Sequence, residues 1–166
     1  MGAKLQVVKG LAPQTTDSLL TYCLKVAALS LVANLALSGA AQLAAHALGL
    51  PGSIADRSLT WAEILGTLLL APLVESVLLR VACALVRSGT RAVWLPSLFI
   101  GVIAGLAHGA LDGLRFFGPM ASFTIFAWAW LRWHDARRAH GFMVLLLPHV
   151  LHNAVPIGVL ASAGPV

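Results

Sequence analysis

The stretch from Leu70 to Val86 is apolar except for Glu75, Ser76 and Arg80. It belongs to a run long enough to cross a bilayer. A charged side chain near the centre of a spanning helix costs roughly 2.5–3.5 kcal/mol on insertion scales. Such a cost is sustained where the group faces a cavity, a partner or a reaction. Two later apolar runs carry His108 and the pair His149 and Asn153. Several buried polar groups then need one another, and this constraint predicts one intramembrane active site.

Only 10% of the 166 residues are charged and 59% are hydrophobic, whereas a soluble domain averages about 25% charged. A water-soluble fold is therefore not expected, and the length suits a single domain, 1–166, with its motif-bearing core over about 60–162. The formal charge of +5 does not argue for nucleic acid as a partner, because the basic residues alternate with apolar runs instead of forming a patch. The partner they imply is the lipid bilayer. Cys23 and Cys83 are the only cysteines, both near span ends placed on the cytoplasmic side. They read as free thiols, not as a disulfide framework.

Residues 1–16 form a polar lead, and Thr16-Asp17-Ser18 supplies cap residues for the helix that follows. The first apolar run, about Leu19 to Leu48, is interrupted by Lys25, Asn34 and His46. Its Ala-Leu-Ser-Gly-Ala-Ala segment resembles a signal cleavage site. The run continues far past a 7–15-residue signal core, so an uncleaved span is expected. A loop begins at Leu50-Pro-Gly. Further spans are predicted over about Trp61–Val86, Val93–Leu111, Phe116–Trp133 and Phe142–Ala161, with the five tryptophans mostly at span ends as interfacial aromatics. The expected fold is an all-α polytopic bundle of about five transmembrane helices.

With the N-terminus cytoplasmic, that side collects Lys4, Lys9, Lys25, Arg87, Arg91, Arg132, Arg137 and Arg138. The other side holds only Arg57 and Arg115. This asymmetry predicts N-terminus in and C-terminus out.

In the second span Ser76 and Arg80 are four apart and share a helix face, with Glu75 turned about 100° from Ser76. Pro72 removes a backbone donor and frees the carbonyl of Leu68 beside Glu75. In the third, Asp112 lies four residues from His108, where it can orient the imidazole. Gly101, Gly105 and Gly109 recur every fourth residue and suit close helix approach. In the fifth, His149, His152 and Asn153 share one face between Pro148 and Pro156.

These groups supply the parts of peptide hydrolysis. A carboxylate takes a proton from water, histidines move protons or polarise a carbonyl, and an amide donates to the developing oxyanion. Glu75, His108 and His149 equally make up a His₂Glu donor set for zinc.

The order and spacing resemble the CAAX-protease and bacteriocin-processing (CPBP, or Abi) family of intramembrane proteases. That family carries Glu-Glu-x-x-x-Arg, then Phe-x-x-x-His, then His-x-x-x-Asn or Asp on successive membrane helices. The corresponding segments are Glu75-Ser76-Val-Leu-Leu-Arg80, Ala104-Gly-Leu-Ala-His108 and His149-Val-Leu-His-Asn153. The resemblance implies that Glu75 activates water, while His108, His149 and Asn153 assist and stabilise the oxyanion. Arg80 would order the site, and Ser76, Asp112 and His152 would support it. The family has been described both as metalloproteases and as glutamate-type proteases. The expectation here is the glutamate type without a cofactor, zinc being the alternative. The implied setting is a bacterial cytoplasmic (inner) membrane, with a membrane-associated protein or peptide as substrate. Two positions depart from the pattern: Ser76 replaces the second glutamate and Ala104 the phenylalanine.

Two other classes compete. One is a non-catalytic membrane scaffold or immunity-type protein that keeps the polar cluster for helix packing. The other is an ion or proton transporter, against which stands the lack of an inverted repeat or paired broken helix.

Overall fold

The computed structural model describes residues 18–51, 60–110, 112–137 and 139–162. The polar lead, most of the loop after Pro51 and the topology residues Lys4, Lys9, Arg57 and Arg138 lie outside the described residues. Regular structure among the described residues is entirely helical: α1 (Leu19–Ala47), α2 (Trp61–Gly89, with a π-helical turn at Gly66–Leu70), α3 (Trp94–Gly109), α4 (Phe117–Arg137) and α5 (Met143–Ser162). A 3₁₀ turn, Gly113–Phe116, joins α3 to α4. Each predicted span coincides with one of these helices, the ends agreeing to within four residues.

Local chemistry fixes the ends. The Ser18 hydroxyl accepts from the Thr21 N–H at 3.1 Å and starts α1. The stop is a Schellman motif: Gly49, at φ 66°, donates to His46, and Leu50 donates back to Ala45 at 2.9 Å. At the start of α2, Thr60 and Glu63 form a reciprocal capping box.

α1, α2 and α5 are long and apolar enough to cross a membrane. α3, at 16 residues, is a shorter apolar helix, below the roughly 20 that a full crossing needs. The last turns of α4 carry Arg132, His134, Asp135 and Arg137. Large apolar side chains are exposed over α1, α2 and α3, among them Leu35, Leu43, Leu78, Leu85, Leu95 and Phe99. Apolar surface on that scale suits lipid, not water. The protein is a helical membrane bundle.

α4 is the helix around which the others pack. Its buried residues point in every direction, from Ala121 and Ser122 through Phe126 and Trp128 to Trp133. The core is built on it, with Tyr22 and Val26 of α1, Leu79 and Cys83 of α2, Ile100 of α3, and Val144 and Leu145 of α5. Here the expectation for the tryptophans is corrected. Trp61 and Trp94 are exposed, but Trp128, Trp130 and Trp133 are all at least 96% buried, because α4 is enclosed on all sides. The Trp133 indole donates to the Ala139 carbonyl at 2.7 Å and packs on Tyr22. Cys23 and Cys83 are free thiols, both fully buried.

The glycine series on α3 meets α4. A Cβ on Gly101 would come 2.5 Å from the Met120 carbonyl oxygen, and one on Gly105 2.8 Å from that of Phe116. Only hydrogen fits at these two positions. This close approach carries His108 to within reach of Glu75 on α2.

Candidate active site

Glu75 sits one turn beyond a break in the regular helix. In the π turn of α2 the Ala71 N–H reaches back five residues to the Gly66 carbonyl. The next donor in that register would be residue 72, toward Thr67, and Pro72 has no N–H. The side chain of Asn153, on α5, supplies the missing bond: its Nδ2 donates to the Thr67 carbonyl at 2.9 Å. Sequence reasoning placed the freed carbonyl at Leu68, on the assumption of an uninterrupted α-helix. The π turn adds the Thr67 carbonyl to those that Pro72 leaves without a backbone donor, and it is this one that Asn153 takes.

Three helices converge on the Glu75 carboxylate. His108 of α3 places Nε2 3.5 Å from Oε1, and His149 of α5 places Nε2 3.2 Å from Oε2. Exposure grades across the cluster: the His149 side chain is 5% exposed, Glu75 27% and His108 38%. His149 thus forms the floor and His108 the mouth. Counted along the sequence, His108 lies at a different depth from Glu75; packing of α3 on α4 brings the two level.

The hydrogen bonds constrain the protons. His108 Nδ1 lies 2.8 Å from the Ala104 carbonyl, which only accepts, so Nδ1 carries hydrogen. Nε2 and Oε1 then face each other with one proton between them, since two bare acceptors would repel. His149 donates from Nε2 to Glu75, and its buried Nδ1 has no partner among the described residues. Phe123 and Phe126 of α4 hold both rings, with Phe126 5.1 Å from His149 and Phe123 5.6 Å from His108 between ring centroids. A cavity of about 230 Å³ lies against Glu75, His108, His149, Asn153, His152 and Ser122.

Of the residues predicted from sequence, Glu75, His108, His149, His152 and Asn153 are brought together around this cavity. The supporting residues fare differently. Arg80 is exposed on the outer face of α2, and the groups that meet Glu75 are the two histidines instead. Ser76 is fully buried with no partner for its hydroxyl among the described residues, one position round the helix from the carboxylate. Asp112 does not orient His108: it accepts from the Leu114 N–H at 3.1 Å and pairs with Arg115 at 3.2 Å, because α3 ends at Gly109 and the chain turns away. His152 is held by α1, its Nδ1 3.0 Å from Ser30 Oγ and its Nε2 3.0 Å from Asn34 Nδ2.

Sequence reasoning missed the contribution of α1 and α4. Ser30, Asn34 and Ser38 are spaced by four on α1, a polar stripe in an apolar helix, and that spacing was the available signal. Ser122 gives no sign of itself in the sequence. The glutamate and two imidazoles have the donor chemistry of a zinc site. Among the described residues, however, no group of three or more His, Cys, Asp or Glu is placed to hold a metal ion. Each histidine instead meets its own carboxylate oxygen.

Compared with protein-family models, curated proteins and solved structures, the chain matches none.

Proposed function

We propose that this protein is an intramembrane endopeptidase of the CPBP type, hydrolysing a peptide bond in a membrane-associated protein or peptide. The observation that carries the reading is the Glu75 carboxylate held between His108 and His149, from three different helices, beside a cavity inside an apolar bundle. Placing a carboxylate there is costly, and reaction chemistry is a reason to sustain it.

In this mechanism a carboxylate oxygen of Glu75 takes a proton from a water molecule as the water oxygen attacks the scissile carbonyl carbon. His108, at the open side and sharing a proton with Glu75, passes a proton to the departing nitrogen as the C–N bond breaks. His149, buried and donating from Nε2, fixes the carboxylate and limits its rotation. Asn153 keeps one amide hydrogen on Thr67, and its second is available to the developing oxyanion. No step requires a metal ion. The implied setting is a bacterial inner membrane, with the N-terminus cytoplasmic.

The scaffold reading is favoured by one observation: Ser76, where the family has its second glutamate, is buried without a partner among the described residues. Cleavage of tail-anchored substrates by purified protein in detergent, beside Glu75→Gln and with or without chelator, separates the cases. Loss of cleavage in Glu75→Gln alone, with the fold retained, supports the glutamate-type enzyme. Loss with chelator and recovery with zinc would move Glu75, His108 and His149 into a metal shell. Equal cleavage by both proteins would rule out Glu75 as the base.

A further inference from the structure

The cavity has a second polar wall, made by α1, α4 and α5, and its hydrogen-bond directions can be followed from one backbone carbonyl. Ser30 Oγ donates to the Ala27 carbonyl at 2.9 Å, which uses its only hydrogen. Toward His152 Nδ1, 3.0 Å away, it therefore accepts, and Nδ1 carries the hydrogen. Nε2 of that neutral ring is a bare acceptor and takes a hydrogen from Asn34 Nδ2 at 3.0 Å. From the other side, Ser38 Oγ donates to Asn34 Oδ1 at 3.1 Å, which agrees with the same amide orientation. The second hydrogen of Asn34 Nδ2 goes to Ser122 Oγ at 3.3 Å. The Ser122 oxygen is thus an acceptor, and its own hydrogen reaches no acceptor among the described residues.

Other hydroxyls in these helices behave differently. Thr124 and Ser97 return their hydrogens to carbonyls four residues back, at 2.7 Å each. Ser122 makes no such bond, is 97% buried and lines the same cavity as Glu75 and His149. A buried hydroxyl hydrogen without an acceptor, beside a cavity with room for water or a ligand group, takes its acceptor from whatever fills that cavity. A nucleophilic role does not fit: the neighbouring imidazole nitrogen is already occupied by Asn34, so no base is in place to take the hydroxyl proton.

We propose that Ser122 is a substrate-binding residue whose Oγ–H donates to a backbone amide carbonyl of a peptide in the cavity, with Asn34 as its positioning residue. The proposal rests on the peptidase reading for the fate of that carbonyl, but not for its capture.

The test uses full-length protein in detergent and N-acetyl-leucine N-methylamide carrying a ¹³C acetyl carbonyl, titrated by infrared difference spectroscopy. The expected result is a saturable carbonyl band at lower wavenumber than the amide has in detergent alone. Ser122→Ala should abolish the shift and weaken binding roughly tenfold, the worth of one hydrogen bond. Ser122→Thr should restore both, and Ser122→Cys, a weaker donor of similar size, should give a smaller shift even if the alanine variant folds poorly. An unchanged band in Ser122→Ala or Ser122→Cys, or no saturable binding to the wild type, overturns the proposal. A Ser122-dependent shift in a protein that hydrolyses no peptide leaves the carbonyl site standing and removes the peptidase reading alone.

Discussion

Asn153 Nδ2 donates at 2.9 Å to the carbonyl of Thr67, the oxygen that Pro72 and the π turn leave without a backbone donor. The bond crosses from α5 to α2 and holds the break in α2 one turn before Glu75. Asn153→Ala should therefore cost about 1–2 kcal/mol, the penalty of a part-buried acceptor left unpaired. Pro72→Ala returns a backbone N–H and should make Asn153→Ala cheaper. A double-mutant cycle on detergent unfolding should give a coupling of about 0.5–1.5 kcal/mol. Additive costs would mean that Thr67 was satisfied in another way.

The two histidines on Glu75 should separate in stability and agree in activity. His149 is 5% exposed and enclosed by Phe123 and Phe126, so His149→Ala opens a cavity and should cost about 2–4 kcal/mol. His108 is 38% exposed, and His108→Ala should stay within about 1 kcal/mol. Peptide cleavage should fall roughly 100-fold or more in both. Unfolding and cleavage assays on the same preparations check the pair.

Asn34→Leu keeps the side-chain volume close but strands His152 Nε2, Ser122 Oγ and Ser38 Oγ together. It should destabilise by about 2–4 kcal/mol, more than a single lost hydrogen bond. Ser38→Ala removes only the outermost link and should cost less than about 1 kcal/mol. Equal costs in unfolding measurements would show that the network does not run through Asn34.

Glycines with and without neighbours give a contrasting pair. Gly105→Ala forces a methyl against the Phe116 carbonyl and Met120, and should cost about 1–3 kcal/mol or more, with activity lost as His108 is displaced. Gly39, inside α1, has nothing within 4 Å of an added Cβ. Gly39→Ala should leave activity unchanged and raise stability by up to about 1 kcal/mol. Thermal melts of both variants decide it.

The five helices were legible because long apolar runs between turn signals leave a membrane chain little alternative. Glu75, His108 and His149 were legible because each is a costly exception within such a run. What stayed hidden depended on packing. The span of Arg80 could be read, but the side of α2 it takes could not, because helix spacing gives relative angles and not which face turns inward. Asp112 stood four residues from His108 on paper, yet α3 ends first. Trp128, Trp130 and Trp133 sit near a span end in sequence, but α4 is surrounded, which no local pattern in its own residues signals. The Thr67–Asn153 bond needs a π turn, and a proline alone does not announce one.

The tie between Asn34 and His152 also orders events during synthesis. Asn34 on α1 is made before His152 on α5, which follows 118 residues later in the chain. A partly made chain therefore has the first half of the pocket wall and nothing to close it. The pocket comes into being only when α5 joins the bundle, because α5 supplies both the second imidazole on Glu75 and the partner of Asn34.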